Sequence, residues 1–371
     1  MNQRRDLAEQ GKGGLSLAAT LARLAAIGAI MLGAAAGFAY VGGWLSPGRL
    51  TQARMMSAFQ AVNGAHPGFR RNHAKGLCVA GTFDSSGQAV PLSKAAVFKP
   101  GRVPLIGRFA LAGGMPFQSD QPASTRSMAL RVVAGGEEWR TGMNNTPVFA
   151  VNSAQGFYDQ LLASRPDPAS GKPDPAAIAA FRARHPEAVR AMTIINARAI
   201  SSGFADSTFN SLNAFRLVNA AGISVPVRWA TVPLQPFVVE SALQSAHTDK
   251  NYLFDDLIRQ IHEHPLQWRL LLTIGEPGDP TNDATLPWPP ERRHIDAGMV
   301  TIDQVSSEAD GSCTDINFDP LVLPAGIEAS DDPLLGARSA AYARSFTLRI
   351  SEKSQAAASA ITAQQVHAGN N

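Results

Sequence analysis

Residues 331–349 read DDPLLGARSAAYARSFTLR, and this stretch near the carboxyl end has the features of a helix. Two aspartates before a proline form a cap signal, and the Ala, Leu and Arg residues that follow favour a helix over 333–349. In this helix Arg338 and Tyr342 lie one turn apart on the same face, so the guanidinium can lie against the phenol oxygen and favour phenolate. Such a phenolate is a hard anionic ligand for ferric iron.

Two motifs farther upstream mean little when each stands alone. His73 lies in the sequence RRNHAKG of residues 70–76, just before a predicted strand, where a histidine is most often a packed or surface residue. Asn144 lies in the sequence MNNTPVF of residues 143–149, and an Asn-Asn-Thr-Pro stretch is an ordinary turn. The order and separation of these motifs relative to Tyr342 make them informative.

Together the three motifs resemble those of the catalase family, which has a distal His motif, a distal Asn motif and a proximal Arg-x-x-x-Tyr motif in this order. The sequence FRLVNAAG of residues 215–222 is also similar to the Phe-Lys-Leu-Val-Asn-Ala-Asn-Gly stretch common in catalases. The resemblance extends over residues 51–350. The additional C-terminal helical region of full catalases is not matched, so the chain looks most like the short catalase-related peroxidases.

This resemblance implies a haem cofactor with functional residues on both of its faces. Tyr342 would be the proximal iron ligand, and Arg338 its charge partner. His73 would be the distal acid and base, and Asn144 the distal hydrogen-bond donor. We expect unmodified haem b, because the sequence has no Cys-x-x-Cys-His motif for covalent attachment.

The resemblance also implies contacts at the edge of the haem. Arg70, Arg108 and Arg349 match the arginines that hold the haem propionates, and bidentate guanidinium contacts suit such carboxylates. Phe149 and Phe157 fall where the family places phenylalanines near the distal pocket. For these two residues, plain packing in the core is an equal alternative.

Three residues depart from the family pattern near the distal His. Ala110 replaces a small hydroxyl-bearing residue that orients this His in many catalases, and Asn72 replaces the Val that narrows the peroxide channel. Ala150 replaces the second Phe of the Asn motif. Each change removes a hydrogen bond or bulk, so we expect a looser and more open distal pocket.

The resemblance therefore implies a haem-dependent peroxidase that reduces hydrogen peroxide or organic hydroperoxides with a small organic electron donor, through a ferryl intermediate on tyrosinate-ligated haem. His73 would move a proton between the two peroxide oxygens. The open distal pocket favours this activity. Two alternatives stay open: a catalase that disproportionates hydrogen peroxide, and a low-turnover haem-binding peroxide sensor.

The N-terminal part carries a membrane signal. Residues 24–45 have no charge and are long enough, at about 1.5 Å per residue, to cross a hydrocarbon layer of roughly 30 Å. The basic residues Arg4, Arg5, Lys12 and Arg23 precede them, so we expect a cytoplasmic N-terminus and a membrane-anchored, periplasmic body. A cleavable signal peptide, which would give a secreted periplasmic protein, and a buried core helix are the alternatives.

These patterns divide the chain into a cytoplasmic N-terminus (1–23), a transmembrane anchor or uncleaved signal (24–45), a catalase-like haem-binding domain (46–350) and a C-terminal tail (351–371). The composition, with 45% hydrophobic and 17% charged residues, allows a substantial core. The net charge of +3 is small and gives no sign of nucleic-acid binding. A homodimer is compatible with the resemblance, although nothing in the sequence fixes it.

The chain has two cysteines, Cys78 and Cys313. Two cysteines exclude a disulfide-dense scaffold and a four-cysteine metal site. In an oxidising compartment they could form a disulfide, and two buried free thiols are the alternative.

Short apolar runs, separated by Gly, Pro, Ser and Asp, predict two sets of strands. We expect a helix near Met56 and Phe59, helical structure within 153–185 and an amphipathic helix over 253–264. With the resemblance, this pattern indicates an α+β fold, a catalase-like antiparallel β-barrel surrounded by helices. The predicted strands are 78–83, 95–98, 108–112, 128–133, 147–151, 213–219, 225–232, 268–274 and 299–305.

Overall fold

A computed structural model of the chain describes residues 16–46, 48–240, 249–352 and 359–368. The chain divides into two compact units, an N-terminal unit that ends at Thr51 and a body that begins at Gln52.

The N-terminal unit contains one long apolar helix, α1 (Leu17–Val41). The Ser16 hydroxyl caps it by accepting a hydrogen bond from Ala19 N at 3.2 Å. Its 25 residues span about 38 Å, and its mean hydropathy reaches 2.0, so length and composition make it a candidate membrane span. The prediction of 24–45 placed it too late, because the apolar pattern and the cap begin before Arg23. Residues 1–15 of the predicted cytoplasmic segment lie outside the described residues.

The body is built on antiparallel strands. Eight of the ten strands in the described residues close into a barrel in the order β7-β5-β4-β3-β2-β1-β9-β8, and β8 pairs with β7 to complete the ring. Strands β6 and β10 extend the sheet beyond β7. The strands are β1 (Gly76–Ser85), β2 (Gly101–Leu111), β3 (Arg126–Ala134), β4 (Glu137–Asn144), β5 (Phe209–Asn210), β6 (Phe215–Val218), β7 (Ser224–Pro233), β8 (Leu266–Ile274), β9 (His294–Ser306) and β10 (Ile327–Ala329).

Helices surround this barrel, as the sequence predicts. The amphipathic helix predicted over 253–264 is α6, with Leu253, Phe254 and Leu257 on its buried face. The helix predicted over 333–349 is α7, capped by the Asp332 carboxylate, which accepts a hydrogen bond from Leu334 N at 2.9 Å. The helices of the body are α2 (Gln52–Asn63), α3 (Ala154–Ala163), α4 (Pro175–Arg184), α5 (Pro186–Ala197), α6 (Tyr252–Glu263), α7 (Pro333–Ser351) and α8 (Ala363–Ala368).

Aromatic side chains form much of the core. Phe109 of β2 is fully buried, and its ring centroid lies 5.3 Å from that of Phe204 and 5.8 Å from those of Phe209 and Trp268. Tilted contacts at these distances are the favoured packing of aromatic rings. The barrel wall that carries Phe109 is therefore rigid next to Arg108 and Ala110.

Two predicted strands are wrong, and three strands, β4 and the short β5 and β10, were not predicted. Ala96–Phe98 is a 3₁₀ turn, where the apolar side chains serve packing and not strand pairing. Residues 147–151 are irregular. Strand β4 escaped prediction because the charged Glu138 and Arg140 alternate with the buried Trp139 and mask its apolar period.

The predicted C-terminal tail, 351–371, also needs correction. Its residues 359–368 pack on the body: Ile361 and Val366 are buried in the main core cluster. The ring of His262 donates a hydrogen bond from Nε2 to Val366 O at 3.0 Å. This segment belongs to the body because its apolar residues cover α6 and β9.

Cys78 and Cys313 form a disulfide, which settles the alternative left open by the sequence. Cys78 lies on β1 and Cys313 in the segment that follows β9, and both are fully buried. The bridge packs with Phe318, and Tyr342 packs against the same cluster. It therefore joins the barrel to the wall that carries Tyr342.

We predict that the double substitution Cys78→Ala/Cys313→Ala lowers the free energy of unfolding by about 2–4 kcal/mol, because the bridge joins residues 235 positions apart and so restricts the unfolded chain. Urea unfolding of both proteins, with and without reductant, measures the effect. Reductant should bring the wild-type midpoint to that of the variant. Equal midpoints for oxidised wild type and variant would contradict the prediction.

Candidate active site

The pairing of three neighbouring strands places polar residues in one row. Ala110 of β2 pairs with Ser127 of β3, and Ser127 pairs with Asn144 of β4. Directly opposite residues in adjacent strands have side chains on the same face. The small side chain of Ala110, the hydroxyl and the amide therefore face the same space.

A second row lies two residues farther along the same strands. It contains Arg108 of β2, Ala129 of β3 and Gly142 of β4, again as register partners. Because side chains alternate between faces with a period of two, this row faces the same space as the first. Gly76 of β1 makes room for it, since a Cβ there would lie 2.2 Å from Arg108 Nη2.

Helix α7 forms the opposite wall. Residues three and four apart along a helix lie on one face. The face of α7 that lines the space carries Leu334, Ala337, Arg338, Ala341, Tyr342, Ser345, Phe346 and Arg349.

Between these walls lies a cavity with about 1190 Å³ of empty space, counting the part continuous with solvent. Residues of α2 and α3 complete its lining. The structure places all nine predicted site residues around this cavity, namely Arg70, His73, Arg108, Asn144, Phe149, Phe157, Arg338, Tyr342 and Arg349.

His73 has an unusual backbone conformation, with φ of 56° in the left-handed region. Non-glycine residues seldom adopt it, and such outliers are frequent at functional sites. The side chain of Asn72 supports this conformation, because its Oδ1 accepts hydrogen bonds from His73 N at 3.0 Å and Gly113 N at 2.9 Å. Asn72 therefore fixes the backbone at the histidine besides lining the cavity.

The Ser127 hydroxyl joins His73 to Asn144. Ser127 donates its proton to Asn144 Oδ1 at 2.5 Å, and its Oγ lies 3.0 Å from His73 Nδ1. A hydroxyl has one proton to donate. His73 must then donate from Nδ1 to Ser127, which leaves its Nε2 unprotonated and leaves Asn144 Nδ2 as the donor that the amide offers to the cavity.

The environment keeps the imidazole neutral. Burial, and after it the positive charges of Arg108 and two further arginines, lowers the pKa of His73 from 6.5 to about 3. At neutral pH the ring therefore has an unprotonated nitrogen that can accept a proton.

These contacts correct one expectation. Ala110 lacks the hydroxyl that orients the distal His in many catalases, yet the hydrogen bond to His73 is present because Ser127 supplies it from the neighbouring strand. Sequence reasoning missed Ser127, since it lies far from every motif and is brought into place by strand pairing. The cross-strand position opposite Ala110 was the signal that could have found it.

On the opposite wall, Tyr342 and Arg338 lie close to β4. A Cβ on Gly142 would lie 3.5 Å from both Tyr342 Oη and Arg338 Nη2, so glycine leaves the phenol uncovered on this side. Arg338 donates hydrogen bonds to Gly142 O at 3.2 Å and to Asn213 Oδ1, and Asn213 donates to Asp332 Oδ2 at 2.7 Å. The guanidinium is thus held in place from the start of α7.

At one edge of the cavity Arg70, Arg108 and Arg349 form a cluster with Glu308. Arg108 donates from Nε and Nη2 to the two Glu308 oxygens, each at 2.8 Å. Arg349 Nε and Nη2 are buried and have no hydrogen-bond partner among the described residues. Sequence reasoning missed Glu308, because it lies in a polar run that looks like an ordinary loop.

The aromatic side chains of the cavity both pack and line it. The ring centroid of Phe157 lies 6.1 Å from that of Phe149 and 5.8 Å from that of Phe59 on α2. Met55 and Met56 of α2 lie beside them in the lining. This side of the cavity is therefore apolar.

The comparison with protein families agrees with this geometry. Residues 47–368 match the catalase family model. The chain belongs to the catalase family.

Its relatives include short proteins of similar length. The chain is 34% identical over 330 residues to a catalase-related peroxidase of Synechococcus elongatus, covering 88% of this chain and 96% of that protein. It is 31% identical over 304 residues to a catalase-related peroxidase of Mycolicibacterium paratuberculosis, covering 81% of this chain and 96% of that protein.

Solved catalase structures share the fold. Catalase A from Saccharomyces cerevisiae superimposes with a TM-score of 0.69 and 19% identity, over 76% of this chain and 61% of that one. The chain therefore spans about three fifths of the length of this catalase.

We predict that Ser127→Ala changes the tautomer of His73, because the hydroxyl that accepts from Nδ1 is lost. Nitrogen-15 NMR of histidine-labelled protein at neutral pH should show the Nδ1–H form in the wild type and a larger Nε2–H population in the variant. His73→Gln identifies the signals. The double variant Ala110→Ser/Ser127→Ala moves the hydroxyl across the strand pair and should restore the Nδ1–H form; an unchanged tautomer in Ser127→Ala would refute the assignment.

Proposed function

We propose that this protein is a haem peroxidase that reduces hydrogen peroxide or organic hydroperoxides with a small organic electron donor. One observation carries the proposal: a single cavity has Tyr342 and Arg338 on one wall and a neutral His73, hydrogen-bonded through Ser127 to Asn144, on the other. The names of the two short relatives support the same reaction class.

The residues present fit a haem. The buried Arg349 carries two donor atoms without a partner among the described residues, and a buried cation of this kind favours a bound anion such as a propionate. Ala129 and Gly142 leave space for a flat ring. Tyr342 Oη would hold the iron, and the Arg338 guanidinium would lie beside the ligand oxygen. We propose non-covalently bound haem b.

A bound haem would supply the redox chemistry that peroxide reduction requires. His73 accepts a proton at Nε2 from one peroxide oxygen and returns it to the other. Asn144 donates from Nδ2 and stabilises the charge that develops on the substrate. Because the pKa of His73 is about 3, Nε2 is unprotonated throughout the physiological pH range.

The choice of reductant separates a peroxidase from a catalase. The wall formed by Met55, Met56 and Phe59 of α2 and by Phe157 of α3 is apolar, which favours an organic donor over a second hydrogen peroxide. Catalase activity remains the second candidate, because the chain is also 28% identical over 292 residues to a catalase of Pseudomonas aeruginosa. A sensor with little turnover would have no need of the His73 and Asn144 arrangement.

We propose that the protein is anchored in a membrane by α1, with its body in the periplasm. The length and composition of α1 support the anchor. The Cys78–Cys313 disulfide supports an oxidising compartment for the body. Secretion after signal cleavage and assembly as a homodimer are compatible with these features.

We predict that purified protein shows the absorption spectrum of high-spin ferric haem with a tyrosinate ligand, and that Tyr342→Phe loses or strongly alters this spectrum. Tyr158→Phe is the matched control, because Tyr158 lies on α3 and is not part of the cavity lining. It should leave the spectrum unchanged. A protein that folds but takes up no haem would refute the proposed function.

We predict that the steady-state rate of oxidation of phenolic or amine donors exceeds the rate of disproportionation of hydrogen peroxide. Oxygen evolution and donor oxidation, measured side by side, compare the two rates. His73→Gln should lower donor oxidation by about 10²–10⁴-fold, the usual contribution of a general acid and base. Disproportionation that exceeds the oxidation of every donor tried would assign the protein as a catalase.

A further inference from the structure

Glu308 places a carboxylate inside the arginine cluster of the cavity. Its side chain is 13% exposed and binds Arg108 in a bidentate pair, and its Oε1 lies 3.6 Å from Arg70 Nε. Bidentate pairs of this geometry are among the strong hydrogen-bonded ion pairs of proteins. Arg108 is therefore already bound to a carboxylate that belongs to the chain.

The segment that carries Glu308 is fixed at several points. Arg70 donates from Nη2 to Cys313 O at 3.1 Å and from Nη1 to Ile316 O at 3.3 Å. Cys313 is bridged to Cys78 on β1. The carboxylate is held at the cluster by this support and is not the end of an unattached surface loop.

Glu308 stays charged in this position. Burial raises its pKa, but the charges of Arg108 and Arg70 and the hydrogen bonds from Arg108 outweigh burial, so the pKa lies below its ordinary value. Three guanidinium groups and one carboxylate then leave the cluster with a net charge of +2. Arg349 Nε and Nη2 and Arg70 Nε are buried donors of this cluster without a hydrogen-bond partner among the described residues.

We infer that Glu308 stays paired with Arg108 when the cofactor is bound, so that Arg108 does not contact the cofactor. Arg349 and Arg70 then bind the two carboxylates of a dianionic porphyrin. The inference rests on the proposed haem function, and it revises the expectation that three arginines hold the propionates. A charge of +2 balances two propionates and avoids an uncompensated buried charge.

The test compares haem with haem dimethyl ester, which lacks the two carboxylate charges, in titrations of the full chain prepared without haem. Wild type should bind the free acid more tightly than the ester. Glu308→Gln removes one negative charge and releases Arg108. It should bind the free acid about tenfold more tightly, the effect of one charge at roughly 10 Å with an effective dielectric constant of ~20, and bind the ester as wild type does.

Glu138→Gln is the matched control, because Glu138 also lies between two arginines, but Arg131 and Arg140, unlike Arg70 and Arg108, are not part of the cavity lining. It should change neither affinity. Before haem is added, Glu308→Gln should melt at a lower temperature than wild type, because Arg70, Arg108 and Arg349 lose the buried carboxylate that they share. Binding of the free acid should then raise the melting temperature of Glu308→Gln by more than it raises that of wild type.

The outcomes separate the inference from the proposed function. If wild type binds neither compound, the haem proposal fails and the inference fails with it. If wild type binds haem but Glu308→Gln weakens the binding of free acid and ester alike, Glu308 only supports the fold and the inference alone is overturned. If Glu308→Gln does not fold, Arg349→Gln decides: its preference for the free acid should be smaller than that of wild type because only Arg70 still binds a carboxylate, and an unchanged preference overturns the inference.

Discussion

The register of β2, β3 and β4 is the constraint on which the site depends. It aligns Ala110, Ser127 and Asn144 in one row, and the row two residues away carries Arg108 and small residues. A slip of one residue would turn every one of these side chains to the other face of the sheet. The chemistry of the cavity is thus fixed by backbone hydrogen bonds that lie inside the barrel wall.

Much of the fold could be predicted from local patterns. The cap before Pro333 and the i to i+4 spacing of Arg338 and Tyr342 located α7, and seven predicted strands overlap β1, β2, β3, β6, β7, β8 and β9. Strand β4 could not be found in this way, since few of its residues are apolar and its charged residues Glu138 and Arg140 are partly buried in ion pairs and hydrogen bonds. Its apolar period is therefore hidden.

The site residues also fall into two groups, those that local sequence patterns reveal and those that they do not. His73, Asn144 and Tyr342 lie in motifs that the sequence shows directly. Ser127 and Glu308 gain their positions from strand pairing and from the path of the segment after β9, neither of which a single sequence displays. Their positions follow from the fold, and the hydroxyl of Ser127 reaches His73 from the strand next to the one that carries Ala110.

The direction of the hydrogen bonds between His73, Ser127 and Asn144 limits where a proton can go. The series runs from an imidazole N–H through a hydroxyl to an amide oxygen, and an amide neither takes up nor releases protons at neutral pH. This series of hydrogen bonds therefore cannot conduct a proton beyond Asn144. Under the proposed function, a proton taken up at His73 Nε2 would therefore not reach bulk solvent through Ser127 and Asn144, and its way out is the cavity from which it came.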